Sequence, residues 1–166
     1  ALAAVVAVAA VGEAFVIITR GIDLSIEAMI GLVAYSIARS LELQLVDPLG
    51  ALAMGLAIGL GLGMINGFIV AILKVPAIVA TLGTLSIFRG ILYVISGPDQ
   101  VPLAGLPEGF TDLSRADVFG IPVFVLIAVG VVFVGSLFLR STRFGRQVYA
   151  VGSNPEAAAI MGIPSR

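Results

Sequence analysis

The chain of 166 residues is 60% hydrophobic and 11% charged, whereas soluble domains average about 45–50% and about 25%. A mean hydropathy of +1.17 exceeds what a soluble core hides, because a small domain leaves much of its surface in water. With no Cys, no His and a net charge of −1, the composition indicates a membrane protein and excludes thiolate or imidazole catalysis, His/Cys metal sites and nucleic-acid binding.

Five apolar segments have the length of membrane-spanning helices, which need about 20 residues. They are residues 1–19, 24–45, 48–73, 78–95 and 121–139, with a loop over 96–120 and a polar segment over 140–166. Runs such as Ala51–Leu62 do not alternate apolar and polar residues as β-barrel strands do. We therefore predict an all-α, polytopic transmembrane helix bundle. The first segment lacks the basic residues that precede a signal-peptide core, so we interpret it as a true span.

The charged residues between the spans predict the orientation of the chain. If the spans alternate in direction, six of the nine basic residues lie on one side. These are Arg20, Lys74, Arg140, Arg143, Arg146 and Arg166. Most of the acidic residues in the connections lie on the other side. The positive-inside rule assigns the basic side to the cytoplasm, which makes 96–120 external and 140–166 cytoplasmic.

The third span carries a small residue at every fourth position, a spacing that places the four on one helix face. They are Gly55, Gly59, Gly63 and Gly67. Such a face lets a second helix approach closely in lipid, so helix packing is the favoured interpretation. A pore-lining helix is the alternative. In that case Asn66, together with Thr81 and Thr84 of the fourth span, supplies polar groups to the pathway.

Two ionisable residues lie well inside spans, where charge is costly and usually faces the bundle interior or water. At about 1.5 Å of rise per residue, Glu13 lies about 9 Å and Arg89 about 16 Å from the cytoplasmic ends of their helices. A Glu13–Arg89 pair is therefore one hypothesis, and Glu27 lies nearer the membrane interface. A proton relay is the rival interpretation. It is disfavoured because the chain has no His and Glu13 is the only acid deep inside a span.

The polar segment contains a second helix signal. Asn154 is a favoured N-cap, Pro155 suits the first helical position and Glu156 complements the positive helix end. Alanines follow, and Gly162 and Pro164 end the pattern. The predicted helix has about two turns and a small, apolar surface. That surface favours docking into a groove on another protein, with an interfacial helix resting on lipid as the alternative.

Four stretches give the chain a resemblance to the permease subunits of ABC importers for simple sugars, of the ribose, xylose and galactose type. They are VIITRGIDLS (16–25), GMINGFIV (63–70), PAIVATLGT (76–84) followed by Arg89-Gly90, and RFGRQVYAVGSNPEAAAIMGI (143–163). The related branched-chain amino-acid permeases share the Phe-Gly-Arg and Ala-Ala…Gly-Ile parts of the last stretch. Those permeases lack the GIDLS and Gly-x-Asn-Pro-Glu motifs, so a sugar permease is preferred.

The resemblance implies a multi-pass subunit of the bacterial inner membrane that forms the pathway for a monosaccharide. It implies a second permease copy, identical or different, an ABC-type ATPase and an external sugar-binding protein as partners. ATP and Mg would be bound by the ATPase, so this chain is expected to hold no cofactor and to catalyse no reaction. The family has roughly twice the five helices found here, so we expect a fragment.

By the same resemblance, residues 140–166 couple the permease to the ATPase. The residues that match the coupling motif are Arg143, Gly145, Arg146, Asn154, Pro155, Glu156, Ala157, Ala158 and Gly162. At Arg20 the family usually has a small residue, and the sequence gives no role for this additional charge. An ion- or proton-coupled carrier, a branched-chain amino-acid permease and an assembly subunit without conduction remain the alternative functions.

Overall fold

Helices account for most of the computed structural model, which describes residues 2–97 and 101–163. In chain order they are α1 (Leu2–Ile18), α2 (Ile26–Glu42), α3 (Pro48–Gly67), α4 (Ala77–Ser96), α5 (Glu108–Arg115), α6 (Val123–Ser141), α7 (Arg143–Ser153) and α8 (Pro155–Ile160). A short antiparallel hairpin, β1 (Asp117–Val118) and β2 (Ile121–Pro122), precedes α6. The predicted all-α, membrane-spanning fold is confirmed.

Helices occupy all five segments predicted as spans, and three of these helices are long and apolar enough to cross a membrane. They are α3 with the π-helical turn that continues it to Ile72, α4 and α6, of 25, 20 and 19 residues. Helix α1 is apolar but has 17 residues. Helix α2 also has 17 residues and contains Glu27, Arg39 and Glu42. That α1 and α2 cross the membrane stays a prediction, since 17 residues span about 26 Å of a hydrocarbon core about 30 Å thick.

The chain divides into two compact units, and the first is Leu24–Arg115. In it, α2 packs against both α3 and α4 around Ala28, Leu32, Leu62 and Phe88. The closest approach is at Gly55, where a Cβ atom would lie 2.5 Å from Cδ1 of Ile37. A side chain at position 55 would displace the end of the Ile37 side chain, so glycine favours this close approach of α2 and α3.

The other three glycines of the predicted packing face have open space around them. A Cβ atom at Gly59, Gly63 or Gly67 would meet no atom of the described residues within 4 Å beyond its own helix. Within the first unit, the close helix contact is therefore made at Gly55. A packing role for the other three stays a prediction.

The second unit consists of Ala1–Asp23 and Ala116–Arg166, and in it α1 packs against α6. A Cβ atom at Gly135 would lie 2.7 Å from Cγ1 of Val11, so these two helices also meet at a glycine. The ring of Phe138 lies 6.0 Å from that of Phe15 and 5.8 Å from that of Phe144. These ring contacts join α1, α6 and α7 at one end of the unit.

Part of the predicted external loop has regular structure. A 3₁₀ turn (Leu103–Gly105) and α5 lie within it, and the β1–β2 hairpin closes it. Phe119 and Gly120 connect the two strands with φ values of 55° and 77°, the left-handed pair that suits a tight hairpin. Asp99 of this loop and Pro164 and Arg166 of the polar segment lie outside the described residues.

Replacing Gly55 with Leu is expected to destabilise the first unit by about 1–3 kcal/mol, because the added side chain forces α2 away from α3. The matched control is Gly59→Leu, which adds the same side chain to the same helix in open space. The measurement is the apparent melting temperature of each purified variant in one detergent. Equal melting temperatures for the two variants would contradict the assigned contact.

Candidate functional site

Two consecutive helices, α7 and α8, form the polar end of the second unit. We call residues 140–163 the coupling segment, after the role that the sequence resemblance implies. The Oγ1 atom of Thr142 caps α7 by accepting a hydrogen bond from the Gly145 amide at 2.9 Å. The Oδ1 atom of Asn154 caps α8 by accepting from the amides of Glu156 and Ala157, each at 3.1 Å. Helix α8 therefore starts where the Asn-Pro-Glu pattern predicts, because these side chains satisfy its first amides.

Gly162 ends α8 as predicted, with a left-handed backbone (φ 75°). Its amide donates to the Ala159 carbonyl at 3.0 Å, and the Ile163 amide donates to the Ala158 carbonyl at 2.9 Å. This pair of bonds is the Schellman arrangement, in which glycine is favoured because it has no side chain to crowd the turn.

Helix α7 was not predicted from the sequence. The signal is the spacing of Gly145, Val148 and Gly152, three and four residues apart, which places them on one helix face. A Cβ atom at Gly145 would overlap the backbone of Leu139, and one at Gly152 would overlap the carbonyl of Ile18. Both positions require glycine, because α7 lies directly on the ends of α6 and α1.

The outer surface of the coupling segment is apolar around α8. Ile160 and Met161 are 87% and 79% exposed, and Ala157 and Ala159 are also exposed. Ala158 differs, because only 4% of it is exposed. Ala158 was predicted to take part in docking, but it is buried and supports α8 from within.

Exposed basic side chains lie on the two helices that precede α8. Arg143 and Arg146 are exposed at the start of α7, and the exposed Arg140 lies in the last turn of α6. Glu156 is exposed in the first turn of α8. The exposed surface of the coupling segment is therefore apolar at α8 and positively charged at the start of α7.

Arg20 lies in the turn that follows α1 and contacts the end of α7. Its Nε atom donates to the carbonyl of Gly152 and its Nη2 atom to the carbonyl of Ser153, both at 2.7 Å. Its backbone is left-handed, with φ 66°. In an L-residue this conformation costs roughly 1–2 kcal/mol relative to the right-handed helix.

Each of the two charges predicted to lie inside a span has a partner within its own unit, and the hypothesised Glu13–Arg89 pair, whose members lie in different units, stays a prediction. The Nη2 atom of Arg89 lies 2.9 Å from Oε1 of Glu27. Oε1 of Glu13 accepts from the Asp23 amide at 3.2 Å. The second oxygen of Glu13 is buried, and within residues 2–97 and 101–163 no group donates to it. The partner of Arg89 is thus the acid that the sequence placed nearer the interface.

The polar residues predicted for the pathway lie inside helix contacts. Nδ2 of Asn66 donates to Oγ of Ser25 at 2.7 Å, and 6% and 0% of these residues are exposed. The hydroxyls of Thr81 and Thr84 donate to carbonyls of their own helix, those of Ala77 (2.8 Å) and Thr81 (3.3 Å). A pathway role for these residues stays a prediction.

The described part of the chain contains no group of three or more acidic residues able to hold a metal ion. The expectation that this chain binds no cofactor remains a prediction.

Comparison with known proteins places the chain among transport proteins. The model of the permease component of branched-chain amino acid transport systems matches residues 1–166. The autoinducer 2 import system permease protein LsrC of Yersinia enterocolitica is 37% identical over 155 residues, which cover 93% of this chain and 42% of that protein. LsrC of Enterobacter sp. strain 638 is 36% identical over 154 residues, covering 93% of this chain and 44% of that protein. No solved structure matches.

The chain thus spans less than half the length of these curated relatives. Their names and the family description all specify a permease component, which is a transport protein rather than an enzyme. The sequence prediction of an importer permease is confirmed at the level of the family.

The Ser25–Asn66 hydrogen bond is expected to stabilise the first unit measurably. Polar pairs between membrane helices average about 0.6 kcal/mol and reach about 1.7 kcal/mol. A double-mutant cycle of Ser25→Ala, Asn66→Ala and the double variant, measured as free energies of unfolding in mixed micelles, should give a coupling in this range. Additive single effects would show that the bond contributes nothing to stability.

Proposed function

The chain belongs to the permease-component family of branched-chain amino acid transport systems, and from this we propose that it is part of the membrane-spanning subunit of an ATP-driven importer. Its apolar helices supply part of the translocation pathway. The energy comes from ATP hydrolysis in a separate ABC-type ATPase, which binds the coupling segment. The observation that carries the proposal is α8, a capped helix with an exposed apolar surface that follows a membrane span.

Three features of the coupling segment support docking to a protein. The ends of α8 are fixed by the Asn154 cap and the Gly162 turn, so the helix is formed before a partner binds. Most of its exposed side chains are apolar, and such a surface fits an apolar groove on a partner protein. Exposed arginines on α6 and α7 add positive charge to the same segment, which favours a partner with an acidic surface.

The proposed substrate is a monosaccharide, on the strength of the Gly21–Ser25 and Asn154–Glu156 motifs of the sugar-type permeases. The names of the relatives specify autoinducer 2, and the family description specifies branched-chain amino acids. Autoinducer 2 and branched-chain amino acids are therefore the alternative substrates that an uptake assay has to include. We further propose a second permease copy and an external sugar-binding protein as partners, the bacterial inner membrane as location and a cytoplasmic position for 140–166.

Cysteine crosslinking tests the docking surface. In a membrane complex without other cysteines, Ile160→Cys is expected to crosslink to an ABC-type ATPase, because this side chain is exposed on α8. The matched control is Ala158→Cys, two residues away and buried, which should give little or no adduct. Mass spectrometry of the adduct identifies the partner. A solvent-reactive thiol at position 160 that gives no ATPase adduct would contradict the docking proposal.

Uptake measurements test the energy source. Replacing Ile160 with Asp is expected to lower uptake about tenfold or more, because burying a charge in an apolar groove costs more than about 1–3 kcal/mol. Phe119→Asp is the control, since that residue is fully exposed at the tip of the hairpin. Uptake should stop on ATP depletion and survive an uncoupler. The opposite pattern would favour a proton- or ion-coupled carrier.

Labelled ribose, leucine and autoinducer 2, offered to the same vesicles with their binding proteins, distinguish the three substrate classes. Transport of the sugar alone is the expected result. Transport of leucine or autoinducer 2 alone would support the proposed importer but contradict a monosaccharide as its substrate.

A further inference from the structure

The turn after α1 contains an arginine at a position where helices usually have glycine. The Arg20 amide donates to the Ile17 carbonyl and the Gly21 amide to the Val16 carbonyl, both at 2.9 Å. These two bonds form a Schellman turn in which Arg20 holds the left-handed position. Gly21 follows one residue too late to relieve the strain of that position. Gln44 holds the same position in the Schellman turn after α2, so the turn alone does not indicate a role. The contacts of the Arg20 side chain indicate one.

That side chain lies where the last turns of α1 and α7 meet. Its guanidinium donates two hydrogen bonds to consecutive carbonyls, those of Gly152 and Ser153, both at 2.7 Å. These carbonyls belong to the last turn of α7, which has no helical amides left to bond and which forms the negative end of the helix. A planar guanidinium matches two neighbouring acceptors better than a lysine does.

Two neighbouring contacts also hold the turn that contains Arg20 in place. Gly152 lies directly against the Ile18 carbonyl, so α7 reaches the backbone of α1 beside the arginine. On the other side of the turn, the Asp23 amide donates to Oε1 of Glu13 at 3.2 Å. The turn is thus held to α1 by Glu13 and to α7 by Arg20.

From this geometry we propose that Arg20 is a positioning residue that fixes the start of the docking helix α8 to the end of span α1. Asn154, the cap of α8, directly follows Ser153, the last residue of α7 that Arg20 holds. A displacement of α8 by a partner is therefore transmitted to α1 through the guanidinium. The proposal rests on the proposed function, because it assigns Arg20 a part in the coupling between ATPase and permease.

The first test measures the link itself and needs no ATPase. Arg20→Gly removes the guanidinium and suits the left-handed backbone, so this variant is expected to fold. Its amides at residues 150–154, 156 and 157 should exchange with deuterium about three- to thirtyfold faster than in the parent protein, in nanodiscs. Arg140→Ala, which removes another charge from the same segment, should leave this exchange unchanged. Unchanged exchange in Arg20→Gly would overturn the proposal.

The second test measures coupling in the permease–ATPase complex. Arg20→Gly is expected to retain ATP hydrolysis and to lower the substrate moved per ATP by about three- to thirtyfold. Arg20→Lys, which restores one donor, should recover part of the loss. Lys74→Gly, which removes a basic residue from another left-handed turn (φ 59°), should behave as the parent protein. Unaltered transport per ATP in Arg20→Gly, or an equal loss in Lys74→Gly, would overturn the coupling role.

The two tests separate the two proposals. Faster exchange in Arg20→Gly, in a protein that binds no ATPase, would establish the link while refuting the proposed function. An ATPase that binds and drives uptake, with exchange unchanged in Arg20→Gly, would support the proposed function and reject the role of Arg20.

Discussion

The backbone contact between α1 and α7 determines the arrangement of the coupling segment. A Cβ atom at Gly152 would overlap the Ile18 carbonyl, so the two helices meet with no side chain between them. The last carbonyls of α7 have no amide of their own helix to bond and need other donors. The guanidinium of Arg20 bonds two of them. The close contact at Gly152 and the hydrogen bonds of Arg20 therefore hold the same two helices together.

In the first unit, too, a small number of polar contacts joins the helices. Apolar side chains give little preference for a neighbouring helix over a lipid tail, so close approach and hydrogen bonds hold the helices together. Helix α2, the least apolar of the five long helices, and its N-cap Ser25 make three of these bonds. Ser25 accepts from Asn66, Glu27 from Arg89, and Tyr35 donates to the Ile95 carbonyl. The polar residues of α2 explain both its short hydrophobic length and its central place between α3 and α4.

Local patterns in the sequence predicted the long helices and the caps of α8, because hydropathy, Asn154, Pro155 and Gly162 act within one or two turns. The features that these patterns did not predict depend on residues far apart in the chain. Arg89 pairs with Glu27, 62 positions away, and Arg20 reaches carbonyls 132 and 133 positions away. The inward position of Ala158 likewise depends on how α7 and α8 pack, and α7 was missed because its inner face is mostly glycine.

The size of α8 explains why these distant contacts matter for its function. An isolated helix of six residues is unstable in water, since forming the first turn is costly. Here the Asn154 cap, the Gly162 turn and the burial of Ala158 offset that cost before any partner binds. A surface formed in advance loses little conformational entropy on docking, so more of the contact energy is available to move the helices. The inner face of α8 therefore holds it in place, while Ile160 and Met161 remain exposed for a partner.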